Sequence, residues 1–187
     1  MSDRNVIKEI LNFWIKEVGP KKWFRSSTAL DAEIRMRFEN HWQAAKDGAY
    51  DDWVESPDGA CALIILLDQF PRNMFRGTSD AFASDTKALE IAEIAVETRR
   101  DLEMPQGVRQ LFYLPFMHAE DLPAQQKCID LIRERSGDST NLYHAEQHSD
   151  VIRQFGRFPH RNDVLGREST EAEKAYLETS SGFGQKS

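Results

Sequence analysis

The chain has 187 residues, enough for one domain that buries roughly two-thirds of its unfolded surface. Its 40% hydrophobic and 29% charged content is that of an ordinary globular protein, and no apolar run approaches the ~20 residues needed to cross a bilayer. A net charge of −7 argues against general binding to nucleic acid, which draws on a basic excess.

Apolar residues recur at helical spacing almost throughout, with no sustained period-two alternation, so the fold class is all-α. The first helix carries Ile7, Ile10, Leu11, Trp14 and Val18 on one stripe and stops at Gly19-Pro20, with Trp23 and Phe24 anchoring the turn. A second starts near Thr28, with Asp31 three residues on in capping-box fashion; it buries Ile34, Phe38 and Trp42 and ends at Gly48. Tyr50 and Trp53 clamp the next loop. Ser56 caps and Pro57 opens the segment C-A-L-I-I-L-L-D-Q-F, apolar on every face and therefore the central helix. Thr78-Ser79-Asp80 caps the next helix, which runs through Leu89, Ala92 and Val96. A shorter one runs from about Gln106 to Tyr113 and must bend or stop near Pro115. Glu120-Asp121 starts a helix through Cys128, Ile129 and Ile132 to Gly137, and another runs from about Leu142 to Phe155 with Gly156 as its stop. Thr170 with Glu173 caps a last helix ending near Leu177.

About eight helices joined by short loops predict stacked antiparallel helical hairpins, in one domain over residues 1–179 with 180–187 as a frayed tail. The N-terminal M-S-D-R-N-V-I-K-E-I-L mixes charge into an amphipathic pattern and lacks the continuous apolar stretch of a secretory signal. Cys61 and Cys128 sit in apolar segments without C-x-x-C spacing, so they read as buried thiols and the expected setting is the cytoplasm.

One phrase occurs twice. Residues 70–79 read F-P-R-N-M-F-R-G-T-S and residues 158–170 read F-P-H-R-N-D-V-L-G-R-E-S-T. Each follows a long apolar helical pattern and combines a helix-stopping Pro, an Arg-Asn pair, and a Gly beside a second Arg. The echo, spaced by about 89 residues, fits a degenerate helical repeat of the tetratricopeptide type, although the W-x-x-L-G-x-x-Y signature of that repeat is missing. From Arg153 to Arg167 the chain carries +3 and the remainder −10, a local concentration suited to a small anion. Arg72, Arg76, Arg157, Arg161 and Arg167 offer planar forks for bidentate recognition of carboxylate or phosphate, and lysine is absent from both segments. The alternative for each fork is to cap helix C-terminal carbonyls.

Asp68 and Gln69 end the apolar run of the central helix, and a buried carboxylate is costly unless paired. Asp68 is therefore expected to meet Arg72, Arg157 or Arg161, either as a structural ion pair or as the orienter of an arginine that faces a ligand. His118 and Glu120 fall in a loop before a helix, where polar groups are often functional. His148 lies on the last long helix. His160 sits beside Arg161, whose charge should keep it neutral at pH 7. Should these four converge, a general acid/base site, a divalent-metal site helped by the i, i+4 spacing of His144 and His148, and a purely structural hydrogen-bond network compete. Phosphate-loop, dinucleotide-turn and nucleophile-elbow motifs are missing.

The chain resembles the bacterial family catalogued as domain of unknown function 924. The resemblance rests on Phe13-Trp14 with Trp23-Phe24, L-D-Q-F-P-R-N with Arg76-Gly77, Ala81-Phe82 with Asp85, L-P-F-M-H-A-E-D with Gln125, and the run from His148 to Arg167. It implies a helical fold similar to tetratricopeptide-like proteins and no assigned activity. The reading that follows is a pocket for a small anionic ligand, with His118, Glu120 and His160 moving a proton. Asp68, Gln69, Arg72, Asn73, Arg76, His148, Arg157, Arg161, Asn162 and Arg167 would form its binding wall, without metal or cofactor. The alternative is a non-catalytic helical scaffold that presents a groove to a partner protein.

Overall fold

The computed structural model describes residues 2–25 and 27–180; of the expected tail 180–187, all but Ser180 lies outside the described residues. Among the described residues the regular structure is helical throughout, without strands. No helix there is long and apolar enough to cross a membrane.

The first helix, α1 (Asp3–Leu11), continues as a π-helical stretch over Asn12–Val18. The wider turn lets Trp14 O accept Gly19 N–H at 3.1 Å and Trp23 Nε1–H at 2.7 Å. Trp14 and Trp23 stack nearly parallel, so Trp23 anchors the turn as expected, whereas Phe24 stands exposed. Helix α2 (Thr28–Lys46) is capped by Ser27, whose hydroxyl accepts Leu30 N–H, one residue earlier than the sequence suggests. Asp31 does not close a capping box, because its carboxylate is drawn to Arg76, which reaches it at 3.0 and 3.2 Å. Tyr50 stacks on Trp53 at 4.0 Å in the loop below.

Ser56 caps α3 (Pro57–Ile64) by accepting Gly59 N–H, and Gly59 is required: a Cβ there would lie 2.2 Å from Trp53 O. The chain then runs without a break through a π-helical stretch, Ile65–Gln69, into α4 (Phe70–Met74), and every residue from Gly59 to Phe75 is buried. Six large apolar side chains between Leu63 and Phe70 are fully buried, each worth about 1.5–3 kcal/mol of transfer free energy. Pro71 does not stop this helix. It has no N–H to offer Leu67 O, but that carbonyl accepts the Ser84 hydroxyl at 2.6 Å, and Ser84 Oγ in turn accepts Trp42 Nε1–H at 2.9 Å.

Thr78 opens a 3-10 turn over Ser79–Phe82, and α5 (Asp85–Glu97) begins only after Ser84. The Thr78 hydroxyl donates back to Phe75 O and so cannot cap the longer helix. A short α6 (Arg100–Glu103) leads to α7 (Gln106–His118), which passes through Pro115 without ending there. His118 is consequently the last residue of a helix and not a loop residue. Buried Gln125 holds that end, its amide donating to Met117 O and Ala119 O at 2.6 and 2.8 Å. Asp121 caps α8 (Leu122–Leu131), which continues as a π-helical stretch to Ser136. Asp138 caps α9 (Ser139–Phe155), and Thr170 and Glu173 form the expected capping box of α10 (Glu171–Thr179).

In this arrangement α2 packs on α4, α3 on α5, α5 on α7, α7 on α8, and α8 on α9. One large core runs from α1 to α9, with a small satellite of Val151, Ile152 and Phe158 beneath Tyr176.

Candidate functional site

The two Arg-Asn segments meet at Asp85, the first residue of α5. Arg72 Nη2 and Arg161 Nη1 both donate to Asp85 Oδ2, at 2.9 and 3.3 Å, and both guanidinium groups lie over the Phe82 ring. Arg161 also donates through Nη2 to His118 O at 3.0 Å and packs over Phe158. Arg161 Nε and Asp85 Oδ1 are buried with no hydrogen-bond partner among the described residues.

Asp68 has no exposed surface and meets its expected partner Arg72, with Nη1 3.1 Å from Oδ1. It also receives Gln69 Nε2 at 2.5 Å and, fifty residues on, His118 Nδ1 at 2.8 Å. Burial works against the charge of Asp68, but Arg72 and His118 outweigh it and hold the carboxyl well below the usual range. An ionised carboxylate only accepts, so His118 Nδ1 must carry the proton. Burial, reinforced by Arg72, lowers the His118 pKa against the opposing pull of Asp68. A neutral ring with its proton on Nδ1 leaves Nε2 as a lone-pair acceptor, and His118 Nε2 makes no hydrogen bond among the described residues. His148 is oriented in the same way, its Nδ1 directed at His144 O at 2.8 Å, with the ring 6.2 Å from that of His118. Burial pushes His148 and His160 down to about 3, with further depression of His148 by His118 and of His160 by Arg161. Burial likewise lowers Arg161 to about 10.

These groups border a cavity of about 780 Å³, within the range of small-molecule sites. Of the residues expected at the site, Gln69, Arg72, Asn73, Arg76, His118, His148, His160 and Arg161 line it, and Asp68 lies directly behind His118. The others are set apart. Glu120 takes both arms of Arg167 at 2.6 and 2.9 Å and accepts Phe158 N–H at 2.8 Å, which uses its oxygens to brace the second segment. Arg157 does not reach Asp68; it pairs with Glu173 at 2.7 Å and with Glu168 O. Asn162 is buried and donates to Ser169. Among the described residues no group of three or more His, Cys, Asp or Glu side chains is placed to hold a metal ion.

The described wall carries Arg25, Arg72, Arg76 and Arg161 against a single carboxylate, Asp150. Within an acidic chain the side chains that line this cavity therefore carry a positive excess. The acids that balance three of the arginines, Asp31, Asp68 and Asp85, stand behind them and do not line the space.

The profile described as a bacterial protein of unknown function, DUF924, matches residues 10–181. The chain belongs to the DUF924 family. It is also similar to a solved structure of a protein of unknown function from Agrobacterium tumefaciens, at 42% identity and a TM-score of 0.91, over 96% of this chain and 100% of that one. No curated protein matches. In this DUF924 chain the motif residues thus divide between a cavity floor and the struts that hold it. Sequence reasoning missed Asp85 as the junction, though it stood in the Ala81-Phe82 motif, and missed the lining contributed by Phe24, Phe82, Leu114, Met117 and Tyr143. Asp85 and Phe82 carried a usable signal in their place together in that motif.

Proposed function

We propose that the cavity binds a small anionic molecule and that His118 acts there as a general base. Arg161, Arg72 and Arg76 would anchor the anion, Asp68 would hold the imidazole with its proton on Nδ1, and His148 and His160 would supply neutral polar surface. The observation that carries the reading is the Asp68–His118 pair, with the open Nε2 on a partly exposed ring in a wall of four arginines and one acid. A carboxylate that fixes the tautomer and orientation of an imidazole is the arrangement by which such a ring takes a proton from a bound molecule. The same reading takes the successive packing from α5 to α9 as a tetratricopeptide-like superhelix, one domain through residue 179. It assigns the protein to the cytoplasm, in keeping with the free thiols Cys61 and Cys128.

Calorimetric titration with acetate, sulfate and citrate tests the site. The Arg161→Gln protein, with its fold checked by circular dichroism, should bind at least about tenfold more weakly than the natural chain, since a hydrogen bond to a charged group contributes about 1.5–3 kcal/mol. Equal affinities would mean that the arginine network serves only to lock the helices.

A further inference from the structure

The polarity of this cavity is inverted. Charged groups ordinarily stand at a protein's surface and aromatic ones inside. Here the buried floor is formed by Gln69, Arg72, His148 and Arg161, whereas two large rings of the wall, Phe24 and Tyr143, are 61% and 58% exposed. Neither ring belongs to the core. Phe24 follows the π-helical stretch and touches Trp23 edge-on, with centroids 6.4 Å apart; Tyr143 stands in the first turns of α9, against the His144 ring. They come from segments more than a hundred residues apart and border one space. Core packing gives neither ring a reason to be aromatic, and an apolar surface bordering a concave site is a binding feature.

The floor also limits the charge of what enters. Asp68 and Asp85 lie against Arg72 and Arg161, and Asp31 against Arg76, so most of the cationic charge is already balanced from behind. A single negative charge suits this floor better than a dianion. His118 Nε2 beside it accepts a hydrogen bond and does not donate one, so the arginines, and not His118, receive the anionic head group.

We infer that the ligand is an amphipathic organic acid, a carboxylate that enters head first and rests an aryl or acyl body on Phe24 and Tyr143. This rests on the anion reading above and adds the class of molecule. Arg161 and Arg72 receive the carboxylate, Met117 and Leu114 flank its first carbons, and the two exposed rings cover the remainder.

Shift titrations by NMR with acetate, phenylacetate, octanoate and the neutral 2-phenylacetamide test the assignment. Phenylacetate and octanoate should bind at least about tenfold more tightly than acetate, and 2-phenylacetamide far more weakly than phenylacetate. In a Phe24→Ser/Tyr143→Ser double variant, which alters only exposed side chains, that preference should fall below about threefold while acetate binds as before. Acetate and phenylacetate binding alike, with both weakened by Arg161→Gln, would overturn the amphipathic assignment and leave the anion site standing. A preference that survives the double variant would overturn it too. Absence of binding by every acid, or amide and acid binding equally, would remove both readings.

Discussion

Three imidazoles share one small region, and each is kept from charging by its surroundings. In an unfolded chain a histidine titrates near 6.5, whereas His148 and His160 are depressed to about 3 and His118 is shifted the same way. Above about pH 6.5 neither state binds the proton and the burial carries no penalty. As pH falls from 6.5 toward 3, the unfolded chain takes up protons that the folded chain refuses, so folding stability declines. Asp68, depressed as well, adds to the decline at still lower pH. Between pH 6.5 and 5 each such histidine costs up to about 2 kcal/mol. Urea unfolding should therefore give a clearly lower stability at pH 5 than at pH 7, with a smaller difference in His160→Gln. A stability independent of pH over that interval would show that the imidazoles are free to charge.

The central run from α3 through α4 shows how an element can defeat a local rule. Pro71 removes a donor from the helix, yet the freed Leu67 carbonyl is met by Ser84, seventeen residues further along, and Ser84 is itself held by Trp42 from α2. Ser84→Ala leaves a buried carbonyl and a buried indole N–H without their partner, and should cost about 2–3 kcal/mol in chemical denaturation. A loss below about 0.5 kcal/mol would mean that the π-helical stretch alone tolerates the proline. The starts of α3, α8 and α10 were legible from Ser56, Asp121 and the Thr170/Glu173 pair, because a cap acts within a few residues, whereas the Asp138 cap of α9 went unread and that helix begins at Ser139, three residues before the expected Leu142. Helix continuity through Pro71 and Pro115 was not, because what permits it comes from elsewhere in the fold. The site divides along the same line. The pairing of Asp68 with Arg72 is one helical turn and could be read directly. The capture of Arg157 by Glu173, and of Glu120 by Arg167, depends on how the second segment folds over α10 and α8, which residue spacing does not reveal.

At the scale of the molecule, the helical stack brings the ends of α4 and α7 and the turn after α9 to one cavity, and Asp85 at the start of α5 joins them. The DUF924 family and the similar Agrobacterium tumefaciens protein are both described as of unknown function, so the chemistry of this floor is the guide to function. Its central element is a neutral His118, protonated at Nδ1 toward Asp68 and open at Nε2. Nitrogen-15 NMR of histidine-labelled protein at pH 7, with and without phenylacetate, reads this directly. The expected result is a neutral His118 with its proton on Nδ1, and a change in its Nε2 shift on addition of the acid. A cationic His118 at pH 7, a proton on Nε2, or an Nε2 signal indifferent to the acid would contradict it.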